Sequence, residues 1–248
     1  VASAALFYGR RRYNAGTRPR AAGRTQARPE RHPFAKESCM RNLIVSAALA
    51  SLSLFSFGVQ AEPITAGQHY VQLQKAVPVS QPGKIEVVEL FWYGCPHCYQ
   101  LEPALNAWAE KLPADVNFIR VPALFGRTWD IHGQLFITLD LMKVEQRVHK
   151  AVFDAIHKQG KELKDPEEMA DFLAEQGVDR DSFLNTYNSF AVKGQMAKAK
   201  QLAKAYQITG VPVLIVNGKY RFDVRSAGGE EQLLQVADYL IDKERAAR

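Results

Sequence analysis

Two of the three cysteines in this 248-residue sequence are separated by two residues, in Cys95-Pro96-His97-Cys98. A pair at that spacing can close on itself as a disulfide and reopen. It suits thiol–disulfide exchange, in which one sulfur attacks and leaves as thiolate while a second completes the transfer. Other uses fit less well. A stabilising disulfide acts by closing a long loop, and two intervening residues give little of that. Structural zinc usually takes four Cys or His ligands, and His69, His132, His149 and His157 show no paired spacing. Covalent haem needs a His directly after the second Cys, where Tyr99 stands. No metal and no cofactor is expected beyond the Cys95–Cys98 disulfide itself.

The surrounding residues predict where that pair sits. Ile85 to Tyr93 is a nearly continuous apolar run of a length that suits a buried central strand, and Gly94 ends it. Pro96 fits the first helical position, and Leu101, Leu105, Trp108, Ala109 and Leu112 recur at helical spacing up to Pro113. Val116 to Val121 reads as a second strand, so the unit is strand, helix, strand, with a parallel pair and a right-handed crossover. Helical patterning runs from 128 to 205, with a capped start at Asp165-Pro166-Glu167-Glu168 and a stop at Gly177. Val213 to Val216, Asn217-Gly218 and Tyr220 to Val224 predict a hairpin with a type I′ turn, and a last helix covers Glu230 to Arg245.

A cysteine at a helix start receives free backbone N–H groups, here of His97 and Cys98, and feels the positive end of the helix dipole; a charged His97 adds to both. Cys95 is therefore expected to be the exposed, attacking sulfur with a lowered pKa. Cys98, one turn in and more buried, is expected to resolve the exchange.

The order of these elements resembles the thioredoxin fold. Phe91-Trp92-Tyr93-Gly94-Cys95-Pro96-His97-Cys98-Tyr99, the Thr209-Gly210-Val211-Pro212 loop and the Val216-Asn217-Gly218-Lys219-Tyr220 turn together resemble the DsbA family of periplasmic thiol oxidases. The resemblance spans about 65 to 245 and implies an α/β thioredoxin fold with a helical insertion. Its core is 62–127 and 206–248, and the insertion is 128–205. It also implies a cis peptide before Pro212, with Val211 and Pro212 beside the dithiol to pair with an extended substrate. Pro96 and His97 are its redox-tuning positions. It places a buried Glu at Glu89 and, where a Lys is usual, Arg120. Because Arg does not give up its proton, Glu89 is open to two readings, a satisfied core carboxylate or a redox group. Trp92, Tyr93 and Trp129 read as core aromatics, some of which could line a substrate groove.

The resemblance further implies unfolded exported polypeptides as substrates, reoxidation by a membrane partner of the DsbB type, a monomer and a periplasmic location. An isomerase or reductase on the same fold and a peptide-binding holdase are the alternatives. The formal charge of +6 would point to nucleic acid if it lay in the folded part. It does not: residues 1–39 carry a net +7, whereas 62–248 hold 22 basic and 24 acidic residues. Met40-Arg41-Asn42, the apolar stretch Leu43 to Val59 and Val59-Gln60-Ala61 have the form of a cleaved secretory signal, 40–61. The expected mature start is Glu62, and 1–39 reads as a non-native or upstream extension, with an Arg-rich, acid-poor organelle transit peptide as the competing reading.

Overall fold

The computed structural model describes residues 63–248. The expected signal and extension lie outside them. Five strands form one mixed sheet: β1 (Val71–Gln72), β2 (Ile85–Phe91), β3 (Val116–Pro122), β4 (Val213–Val216) and β5 (Tyr220–Asp223), in spatial order β1-β5-β4-β2-β3. β2 pairs with β3 in parallel and with β4 antiparallel, and β4 continues antiparallel to β5. The parallel pair demands a crossover, which α1 (Pro96–Ala109) provides.

Every residue of β2 is buried, as expected of a strand covered on both faces. Alternation puts Ile85 and Val87 among Leu101, Leu105 and Leu240, while Val88 and Leu90 pack with Ala199, Ala203 and Tyr206. Glu89 shares the face of Ile85, Val87 and Phe91, and stands beside Arg120 in the β2–β3 register.

Between β3 and β4 the chain forms five helices, α2 (Thr128–Leu141), α3 (Glu145–His157), α4 (Pro166–Glu175), α5 (Arg180–Tyr187) and α6 (Phe190–Ala205). Asp165 caps α4 by accepting from the Glu167 and Glu168 N–H groups. Helices α2 to α5 build a core around Leu135, Leu139, Phe153, Leu173 and Phe183, and Phe91, Tyr93, Cys95 and Cys98 belong to that core. The helical segment thus closes over the dithiol end of the sheet.

Several boundaries differ from the sequence expectation. β2 stops at Phe91, not Tyr93, because the Trp92 carbonyl turns to accept from the Cys95 N–H at 2.9 Å. α1 ends at Ala109, and Lys111 and Leu112 close single turns on Trp108 and Ala109. β5 ends at Asp223 because Asp223 and Ser226 form a reciprocal capping box that starts a short helix, α7 (Val224–Ala227), before α8 (Glu230–Ala246). The two-residue β1 carried no readable pattern. At the hairpin, Asn217 and Gly218 both have positive φ, 50° and 64°, as the expected turn requires. A Cβ on Gly218 would sit 2.0 Å from the Val77 carbonyl oxygen, so close approach also demands glycine there.

Candidate active site

α1 begins where the sequence places it. Cys95 is its N-cap, Pro96 supplies the first helical position without an N–H to satisfy, and the Cys98 N–H donates to the Cys95 Sγ at 3.3 Å. Both cysteines are free thiols. The Val211–Pro212 peptide is cis, and the Cys95 thiol donates to the Val211 carbonyl at 3.6 Å. That loop explains one correction: Cys95, expected to be exposed, retains only 6% of its accessible surface. It is still the more accessible sulfur, for Cys98 is fully buried.

The two thiols are driven apart electrostatically. Cys95 is lowered from 9.0 to about 6, first by the hydrogen bond from the Cys98 thiol. Burial opposes this, and the backbone N–H groups of Cys98 and His97 and the His97 charge add to it. Cys98 is raised far above its ordinary value, chiefly by burial and then by Cys95. Divergent environments of this kind separate a nucleophile from a proton-holding partner. Because the folded pKa of Cys95 is depressed, its thiolate stabilises the reduced protein fully above the unfolded thiol value. That stability is lost as pH falls through about 6.

His97 is exposed and, with Thr209, Val211, Pro212, Arg221 and Asp223, lines a groove of about 490 Å³. Its charge is the smallest of the influences named above on Cys95. Replacing His97 with Leu is therefore expected to raise the Cys95 pKa by less than about one unit, under tenfold in proton affinity. Thiolate absorbance against pH measures this. A return to the ordinary thiol value would show that the side chain, not the helix start, stabilises the anion.

Beneath α1 the Arg120 Nε donates to Glu89 Oε2 at 2.9 Å, so the two residues do pair as the resemblance implied. Arg120 also donates to Asn106 and lies 3.4 Å from Glu102 Oε1. Burial pushes Glu89 from 4.5 up to about 7, against the pull of Arg120, and its Oε1 has no hydrogen-bond partner. Sequence reasoning missed Glu102, Asn106, Glu145 and His149, all of which join this buried cluster. Glu102 was findable, since it lies four residues after Cys98 on the same helical face. His149 was not, being on α3.

The aromatics divide. Tyr93 is a core residue that contacts His149 Nδ1 through its hydroxyl at 2.9 Å, and its carbonyl accepts from His157 Nε2 at 2.7 Å. Tyr99 stacks on His157 and donates to Asp154 at 2.6 Å, so α3 holds both flanks of the dithiol turn. Trp92 is only partly buried and stacks on Trp129 at 4.2 Å, with the exposed Phe125 beside it.

Fold and dithiol together define the class, a protein disulfide oxidoreductase of thioredoxin architecture. A family profile described as a DSBA-like thioredoxin domain matches residues 132–240. The chain is also 67% identical to the thiol:disulfide interchange protein DsbA of Pseudomonas aeruginosa over 208 residues, 84% of this chain and 99% of that protein. It belongs to the DsbA family. DsbA of Azotobacter vinelandii is 66% identical over 84% of this chain and its own full length. Among solved structures, Pseudomonas aeruginosa DsbA superposes with a TM-score of 0.73 at 68% identity, over 75% of this chain and 97% of that one. Xylella fastidiosa DsbA gives 0.70 at 36% identity, over 74% and 98%.

Proposed function

We propose that Cys95 and Cys98 are the catalytic pair and that the protein acts as an oxidase of unfolded exported polypeptides. A substrate thiolate attacks Cys95 Sγ, the Cys95–Cys98 bond breaks, and Cys98 leaves with the electron pair and takes up a proton. A second substrate thiolate then attacks the substrate sulfur of the mixed disulfide. Cys95 leaves as thiolate, and substrate departs with a new disulfide. The observation that carries this reading is Cys95 at the N-cap of α1, its Sγ accepting from the Cys98 N–H at 3.3 Å: these donors lower its pKa, and a stabilised leaving thiolate favours the reduced enzyme and makes its disulfide oxidising. The groove beside Val211 and Pro212 suits an extended substrate chain, whose backbone would pair with Val211.

The two electrons left on the dithiol pass to a membrane oxidase of the DsbB type. The setting is the periplasm, reached through the signal at 40–61, and the mature protein, from Glu62, is a monomer with a thioredoxin core and the 128–205 insertion. Among the described residues no helix is long and apolar enough to cross a membrane. The redox equilibrium of the 62–248 protein with glutathione tests the proposal. At pH 7 a large excess of reduced enzyme over disulfide form is expected in buffers that leave thioredoxin-like reductants oxidised. A strongly reducing dithiol would exclude the oxidase role.

A further inference from the structure

The charges behind the dithiol do not balance through Arg120 alone. Glu89, Glu102 and Glu145 are all buried, and Arg120 reaches two of them, at 2.9 Å from Glu89 and 3.4 Å from Glu102, but not Glu145. His149 arrives from α3 to complete the cluster. Its Nε2 lies 3.2 Å from Glu102 Oε1, and its Nδ1 lies 2.7 Å from Glu145 Oε1 and 2.9 Å from the Tyr93 hydroxyl. From α2 it meets the Phe136 ring, edge-on at 6.2 Å. With Arg120, Asn106 and Lys150 it lines a cavity of about 570 Å³, open toward solvent.

This placement matters for Cys98, which has no contact with solvent. To close a mixed disulfide on Cys95, Cys98 must first lose its proton to a neighbouring base, and Glu89, fully buried on the β2 face that packs against α1 and with no partner for its Oε1, is a carboxylate whose charge raises the Cys98 thiol. We propose that His149 is a positioning residue for this step. As the second cation of the cluster, carried in by the helical insertion, it holds Glu89 in the carboxylate form that accepts the Cys98 proton. The Cys98 thiolate then attacks Cys95 Sγ, the Cys95–Cys98 bond forms, and the partner sulfur leaves as thiolate. The proposal rests on the reading of Cys98 as the resolving thiol. His149 pulls Glu89 down against burial. Burial disfavours the imidazolium, but the Glu102 and Glu145 carboxylates outweigh it and hold His149 above its ordinary value.

The test uses oxidised glutathione to form the mixed disulfide at Cys95 and follows its closure by stopped flow between pH 5 and 9, about the range where these groups titrate. In the native protein the closure rate should rise with a midpoint near 7, the Glu89 value. His149→Gln should move that limb upward by about one unit, so that closure below the midpoint is roughly tenfold slower, with the Cys95 thiolate titration unchanged. The double variant His149→Gln/Glu102→Gln removes one charge of each sign and should return the limb to the native position. A His149→Gln profile that superimposes on the native one, or a double variant displaced as far as the single, overturns the proposal. Should His149→Gln not fold, the native imidazole decides: nitrogen NMR must find His149 doubly protonated at pH 7, and a neutral ring overturns the idea. Failure of glutathione to form any mixed disulfide at Cys95 would instead reject the functional reading beneath it.

Discussion

Replacing Cys98 with Ala is expected to abolish disulfide turnover and leave the protein covalently attached to its thiol partners. In our mechanism, Cys95 forms the mixed disulfide, which a second substrate thiolate can resolve and which Cys98 can reopen from within by attacking Cys95 Sγ and displacing the partner sulfur. With Cys98 gone, the thiolate at Cys95, still favoured by the helix-start N–H groups, attacks a disulfide in a substrate and cannot be released internally. Replacing Cys95 should trap nothing, because Cys98 is fully buried and holds its proton far above the ordinary thiol range. Non-reducing electrophoresis of the two variants, each with its remaining cysteine reduced, after incubation with a protein carrying scrambled disulfides separates the outcomes. Equal trapping by both would assign the nucleophile wrongly. The same experiment reports on the loop over Cys95, which retains 6% of its surface and has its Sγ 3.6 Å from the Val211 carbonyl oxygen.

Replacing Arg120 with Leu should be the most destabilising substitution at the site, by about 3–5 kcal/mol at neutral pH. Losing one partner of a buried ion pair leaves the other without compensation. Arg120 has 12% of its side chain exposed and Glu89 none, and Glu102 also loses its contact with the guanidinium. The sign of the pH dependence follows from Glu89. Its folded pKa, about 7, already lies above the unfolded carboxylate value, so the native protein loses stability as pH rises between about 4.5 and 7. Without Arg120 the folded value rises further and the loss continues to higher pH. Urea unfolding of the 62–248 protein at pH 5 and pH 8 should therefore find a smaller deficit at the lower pH. An equal deficit at both, or one below about 1 kcal/mol, would mean that the pair is effectively solvated.

The dithiol end of this protein is legible in its sequence because the determinants are local. A fully apolar run, a glycine, a Cys-Pro pair and a helical repeat specify strand, turn and helix start within about 25 residues, and helix-start donors stabilise a thiolate wherever that geometry occurs. Asn217-Gly218 specified its turn for the same reason: both positions need positive φ, and few residue pairs supply it. Asp223 and Ser226 carried an equally local cap, which was overlooked because the strand pattern runs through Tyr220 and Phe222 directly into it. What the tertiary structure alone decided is everything that depends on residues meeting across the sheet or across the helical segment. The cover over Cys95 comes from a loop 116 residues away, and the Glu102–His149 contact joins residues 47 apart. No periodicity encodes such meetings. Glu89 illustrates the division: its position six residues before Cys95 marked it, through the family resemblance, as a buried Glu, but its proton affinity is set by burial and by charges from three other segments, β3, α1 and α3, which only the packed fold brings within reach.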